Sequence, residues 1–141
     1  MPITTTLVDH PAIAADNTDA MAQWYEKVLG LVPHVVAGPN PPQTQRVYLV
    51  GPPAASGAQG VAAGSMLEIM PRNGTPRHNR NSHEPGHSHI AWRVADFDAA
   101  HAHLKACQVT FLSDVIQAIG GGRIISFEDC EGNMIQIVER K

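Results

Sequence analysis

Two stretches of this chain can be laid on each other without a gap, and a chain that repeats itself has few folds open to it. From His10, "HPAIAADNTDAMAQWYEK" falls on "HIAWRVADFDAAHAHLKA" from His89, at a constant offset of 79 residues. Further on, "RVYLV" from Arg46 falls on "RIISF" from Arg123 at an offset of 77, and "GSMLEIM" from Gly64 falls on "GNMIQIV" from Gly132 at an offset of 68. Such a repeat means two copies of one supersecondary unit, neither expected to bury its apolar face alone. It makes His10 and His89 structural equivalents, and likewise Glu68 and Gln136. Four polar side chains at two paired positions suggest one site shared between the copies.

Each copy reads strand, helix, then three strands. In the first, β-branched and apolar residues over 4–14 predict a strand, and Asp16 and Asn17 offer caps for a helix over 18–29. Gly30 stands where a helix end favours positive φ. Strands are expected over 32–37, 46–50 and 65–70. The Pro- and Gly-rich stretch 51–64 reads as a surface hairpin loop. In the second copy, a strand over 88–94 leads to a helix near 97–106 capped by Asp96, with strands near 109–113, 123–127 and 133–139. The polar, turn-rich segment 71–86 links the copies. The order βαβββ twice defines an α+β fold. The expected domain is single, 1–141, with one module over about 3–70 and the other over about 87–141.

A chain of 141 residues can bury a core without disulfides. Its net charge of −3 gives no reason to expect a nucleic-acid or anionic-membrane partner. Cys107 and Cys130 form no C-x-x-C pair, and with no signal-like start they read as reduced thiols of a cytoplasmic protein. No run reaches the length of a membrane span.

Alternation along strands sorts the polar residues by face. His10, Ala12 and Ala14 share one face of the first strand; His87, His89, Ala91 and Arg93 share one face of its counterpart. Met66, Glu68 and Met70 share a face, as do Met134, Gln136 and Val138. A carboxylate between two methionines is a poor pattern for a solvent-facing strand. The alanines beside each histidine leave room for a ligand. Two imidazoles and one carboxylate suit a divalent metal, and with positions left open they match the facial set of non-haem Fe(II) enzymes. Arg93 could meet a substrate anion or pair with an acid, and His87 could line the pocket or replace His89. Arg46 and Arg123, equivalent in the repeat, read as structural residues at strand starts, and His101 and His103 as surface residues of the second helix.

The βαβββ–βαβββ order, with "HPAIAADNTDAMAQWYEKVLGL", "GSMLEIM", "GHSHIAWRVADFDAAHAHLKA" and "EDCEGNMIQIVER", resembles the vicinal oxygen chelate superfamily over nearly the whole chain. That superfamily includes glyoxalase I, extradiol dioxygenases and bleomycin-resistance proteins. The resemblance implies a curved, half-open barrel and a homodimer. It also implies a divalent metal (Ni, Zn, Mn or Fe) held by His10, Glu68, His89 and Gln136, and a small-molecule substrate that chelates the metal through adjacent oxygens. Arg93 and His87 are the candidate substrate contacts.

Many relatives carry Glu at the fourth ligand position, where this chain has Gln136. An amide oxygen can ligate a metal but cannot act as a general base, so Glu68 is the remaining carboxylate for catalysis. Glu139, three residues beyond Gln136, should face the other side of its strand. The leading expectation is a glyoxalase-like lyase or isomerase. The alternatives are a ring-cleaving non-haem Fe(II) dioxygenase and a metal-free protein that sequesters a ligand.

Overall fold

A computed structural model describes residues 3–5, 7–53, 65–78 and 80–141. The expected hairpin loop over 51–64 lies mostly outside the described residues. The chain divides into two compact units, Met1–Thr75 and Pro76–Lys141, with the boundary inside the expected linker. No helix among the described residues is long and apolar enough to cross a membrane.

The first unit runs β1 (Ala12–Ala15), α1 (Thr18–Leu29), β2 (Val32–Ala37), β3 (Val47–Gly51) and β4 (Leu67–Pro71), and its sheet has the order β1-β4-β3-β2. The second runs β5 (Ile90–Arg93), α2 (Phe97–Ala106), β6 (Ile116–Gln117), β7 (Arg123–Glu128) and β8 (Met134–Val138), with the order β5-β8-β7-β6. The fold is therefore α+β, built of two βαβββ modules of the same topology. In each, the opening strand lies parallel to the last strand at the sheet edge.

The two modules match in register as well as in order. Ala12 pairs with Glu68, and Ala91 with Gln136. Leu49 lies opposite Glu68, and Ser126 opposite Gln136. These are the partners that the offsets of 79, 68 and 77 require. Because side chains alternate, a slip of one residue would send every residue of a strand to the other face.

Helix caps repeat too. Asn17 Oδ1 accepts from Ala20 N–H at 2.9 Å, and Asp96 Oδ1 accepts from Ala99 N–H at 2.9 Å. Each cap satisfies an otherwise orphaned amide of the first turn, which stabilises a helix by about 1 kcal/mol. Gly30 then ends α1 at φ 67°, a left-handed conformation open to glycine.

One face of each sheet is the core. Met21, Ala22, Tyr25 and Val28 of α1 are buried, as are Tyr48, Val50, Leu67 and Ile69. Phe97 and Leu104 of α2 are buried, as are Ile125, Phe127, Ile135 and Ile137. Each fully buried side chain of this size contributes about 2 kcal/mol relative to exposure. His101 is not the surface residue expected. Its ring sits 6.1 Å from Phe97 and 5.5 Å from Phe111 between centroids, and desolvation holds its pKa below the ordinary imidazole value.

A repeated ion pair ties helix to sheet. Arg46 reaches Asp19 at 3.2 Å, and Arg123 reaches Asp98 at 2.8 Å. Arg123 also holds Glu139 at 2.7 Å and lies over the Phe97 ring. Both arginines are structural, as their places at strand starts suggested.

Two strands differ from expectation. The opening strand begins at Ala12 rather than residue 4. Pro11, lacking an N–H, cannot donate to a ladder, though its carbonyl accepts from Glu68 N–H at 2.9 Å. The stretch 109–113 contributes only an isolated bridge, Phe111 to Phe127. There the Ser113 hydroxyl accepts the Ser126 N–H at 3.0 Å, taking the place of a backbone carbonyl and breaking the regular ladder. The second strand of this module, at the edge of the sheet, is instead Ile116–Gln117.

Candidate functional site

Of the residues singled out from the sequence, Glu68, Gln136 and Arg93 lie within strands, while His10, His87 and His89 precede the strands that open the two units. In β4, Leu67 and Ile69 are buried with the core, while Glu68 and Met70 point to the opposite side. Met66, expected beside them, precedes the strand and is fully buried. The cross-strand row through Glu68 is Ala12, Glu68, Leu49 and Val35. The carboxylate therefore has aliphatic neighbours along its row and keeps a side-chain exposure of 27%.

His10 stands two residues ahead of Ala12, at the open end of this row. Its Nε2 lies 3.0 Å from Glu68 Oε2 and its Nδ1 lies 2.7 Å from Asp9 Oδ2. An ionised carboxylate can only accept, so Asp9 places a proton on Nδ1. The hydrogen bond to Asp9, helped by the charge of Glu68, raises the His10 pKa above the ordinary imidazole value, against a smaller desolvation effect. A protonated Nε2 would donate to the Glu68 carboxylate across this contact. A metal ion would replace that proton.

The second unit repeats the placement with different side chains. His89 stands two residues ahead of Ala91, and the row through Gln136 is Ala91, Gln136 and Ser126. His89 Nδ1 meets the hydroxyl of Ser88 at 2.8 Å. Gln136 Nε2 donates to Ser126 Oγ at 3.0 Å, which leaves the amide oxygen as its ligating atom. In both units the residue just before the histidine engages Nδ1 and leaves Nε2 as the outward nitrogen. Metal-binding imidazoles are commonly oriented this way, by a hydrogen bond at the other ring nitrogen. Asp9 and Ser88 did not stand out in the sequence. The signal was there: the offset of 79 lays Ser88 on Asp9, a polar residue before each histidine.

Within the first unit His10 and Glu68 are brought together. In the second, His89 and Gln136 each bond to a local hydroxyl. Among the described residues no group of three or more His, Cys, Asp or Glu side chains gathers in metal-holding range. The donor chemistry nevertheless fits a divalent ion, with imidazole nitrogen and carboxylate oxygen adjacent and the imidazole oriented by a second carboxylate.

His87 is exposed and lies three residues ahead of β5. Arg93 ends β5 and is exposed, in the row Arg93, Val138, Ile124 and Ile116. Glu139 is turned the other way, held by Arg123, which keeps its carboxyl below the ordinary range. It takes no part in the Gln136 face.

A family model described as the Glyoxalase/Bleomycin resistance protein/Dioxygenase superfamily matches residues 7–137. Among solved structures, the chain is similar to a glyoxylase/bleomycin resistance protein/dioxygenase domain from Frankia sp. EAN1pec, at 16% identity and TM-score 0.73, covering 98% of this chain and 94% of that one. It is similar to TnmS3, an antibiotic binding protein from Streptomyces sp. CB03234, at 19% identity and TM-score 0.66, covering 99% and 100%. It is also similar to lactoylglutathione lyase from Agrobacterium tumefaciens, at 18% identity and TM-score 0.59, covering 99% and 96%. At these identities the likeness establishes the fold. No curated protein matches the chain.

Proposed function

We propose that this chain, which belongs to the Glyoxalase/Bleomycin resistance protein/Dioxygenase superfamily, is a metal-dependent enzyme of the glyoxalase-like lyase or isomerase type. Its substrate would be a small molecule with adjacent oxygen atoms. The observation that carries this reading is the His10 arrangement, with Nδ1 tied to Asp9 at 2.7 Å and Nε2 facing Glu68 at 3.0 Å. An imidazole so oriented beside a part-buried carboxylate suits cation binding better than a solvated surface pair.

The proposal assigns His10, Glu68, His89 and Gln136 as ligands. A divalent ion held by them would supply a Lewis acid for the substrate's adjacent oxygens. The chain's own residues do the rest. Asp9 fixes the tautomer of His10. Ser126 accepts from the Gln136 amide nitrogen, which leaves the amide oxygen as the atom available to a ligand. Gln136 has no basic atom, so Glu68 is the group that moves the proton. It takes one from the carbon next to a carbonyl and returns it to the neighbouring carbon. Ala12 and Leu49 flank Glu68 in its row and offer no polar group to compete for its carboxylate.

A second reading uses three ligands. His10, Glu68 and His89 would form a facial set for Fe(II), leaving Gln136 to its bond with Ser126. That arrangement serves ring cleavage by dioxygen. A third, suggested by the likeness to an antibiotic binding protein, is ligand sequestration without metal.

The experiment is a screen of metal-replete protein with methylglyoxal–thiol adducts and with catechols, following both product and oxygen uptake. Isomerisation without oxygen uptake is the expected result. Oxygen uptake with catechols would establish the second reading, and turnover of neither class by fully loaded protein would contradict the enzyme assignment. Glu68→Gln then separates the roles of Glu68. The amide retains a ligand oxygen, so metal binding should survive in weakened form while proton transfer falls by at least about a hundredfold.

A further inference from the structure

We infer that His103 and Cys107, at the C-terminal end of α2, form a two-donor site for a thiophilic divalent cation of the zinc or cadmium class. The inference goes beyond the proposed enzyme and concerns residues outside its ligand set.

The two residues stand one helical turn apart, at i and i+4, where side chains meet. Cys107 N–H donates to the His103 carbonyl at 2.9 Å, which closes the turn that carries them both. Cys107 Sγ lies 3.4 Å from His103 Nε2. Zinc binds thiolate sulfur at about 2.3 Å and imidazole nitrogen at about 2.0 Å, and at a tetrahedral angle those bonds set S and N about 3.5 Å apart. The side chains therefore already stand at the bite that one ion requires. His103 is exposed and Cys107 half-buried, so an ion reaches the pair from solvent.

The surroundings decide what kind of ion fits. The carbonyls at a helix C-terminus carry partial negative charge, which favours a cation. Lys105 falls between the two in sequence, but residues two apart do not face each other on a helix. The His101 ring is turned to Phe97 and Phe111. One nitrogen and one sulfur suit a soft or borderline ion, and not Mg(II) or Ca(II), which take oxygen ligands. Ni(II), which prefers tetragonal sites of nitrogen and oxygen, fits a tetrahedral bite less well. Two protein donors leave two tetrahedral positions to water. The ion displaces the thiol proton, which passes to solvent, so affinity falls as pH is lowered.

Cys130 is the internal comparison. Desolvation, with the charges of Asp129 and Glu131, pushes its thiol up to about 11. An ion must there displace a tightly held proton.

The test is titration of the reduced, chelator-stripped chain with Cd(II), read by thiolate-to-metal charge-transfer absorption in the ultraviolet. A site without sulfur gives no such band, so His10→Ala should leave it unchanged whatever becomes of the proposed enzyme. Cys107→Ser should abolish the band and Cys130→Ser should preserve it. His103→Ala should weaken Cd(II) binding at least about tenfold, because the second donor of a chelate is already tethered beside the first. Zn(II) should displace Cd(II), and Mg(II) should not. In wild type the His103 ring protons should shift as the band grows, a readout that needs no variant to fold. No band at saturating Cd(II), a band that follows Cys130, unchanged affinity in His103→Ala, or unmoved His103 ring protons would overturn the assignment.

Discussion

Asp9 and Ser88 occupy the same place in the two modules, each contacting Nδ1 of the histidine that follows it, at 2.7 Å and 2.8 Å. The partner of His10 is a carboxylate, whereas that of His89 is a neutral hydroxyl. In metal-free protein His10 should titrate above the ordinary imidazole value of 6.5, because the Asp9 hydrogen bond and the charge of Glu68 both favour its imidazolium. Asp9→Asn should bring the His10 midpoint down, as read by imidazole proton shifts. It should also weaken metal binding by roughly tenfold or more, since the orienting carboxylate is lost. A midpoint unmoved by Asp9→Asn would remove Asp9 from its assigned role.

The two repeat-equivalent arginines should differ in their effect on stability. Arg46 and Asp19 keep 48% and 51% of their side-chain exposure, and pairs of that kind contribute little. Arg123 holds Glu139, whose side chain retains 12%. Arg123→Met leaves that carboxylate only the 3.9 Å contact with exposed Lys141 and should lower Tm by several degrees, whereas Arg46→Met should change it little. Equal effects would show that burial of Glu139 does not decide the outcome.

The same cluster sets an acid limit. Hydrogen bonding to Arg123 lowers the pKa of both Glu139 and Asp98 from their ordinary values of 4.5 and 3.8. A carboxyl depressed in the folded state stabilises the fold above its unfolded pKa, and that contribution is lost as pH falls through the folded value. The Tm difference between wild type and Arg123→Met should therefore hold near neutrality and shrink below about pH 4. A difference that grew on acidification would have the wrong sign for this network.

Glycines at positive φ separate strain from collision. Gly132, at φ 85°, has open space where a Cβ would stand, and Gly132→Ala should cost about 1 kcal/mol from the backbone alone. Gly122, at φ 88°, would drive a Cβ into the carbonyl oxygen of Glu139. Gly122→Ala should cost clearly more than Gly132→Ala in chemical denaturation. Equal costs would mean the turn yields freely.

Much of the fold was legible because repetition constrains register as well as order. Once Ala12 lies beside Glu68 in the first unit, the offsets of 79 and 68 put Ala91 beside Gln136 in the second, as observed. Both helices were legible from their caps, Asn17 and Asp96. The failures came where side chains compete with the ladder. Ser113 takes the Ser126 N–H, and Pro11 cannot donate, so strands expected at those places are shortened or displaced. His101 was read as a surface residue because helical position alone does not reveal Phe111, which reaches it from outside the helix. In the candidate site, facing was legible for Glu68 and Glu139, since alternation decides it. The orienting bonds of Asp9, Ser88 and Ser126 were not, since they depend on the reach of particular rotamers.

His10 and Glu68, and not Glu139, are proposed to bind the metal ion. Calorimetric titration of chelator-stripped protein with Ni(II) tests it most directly, run on wild type, His10→Ala, Glu68→Ala and Glu139→Ala. One ion per chain should bind to wild type and to Glu139→Ala with similar affinity, and binding should be lost in the other two. Absence of binding to wild type, or equal loss in all three variants, would contradict the account.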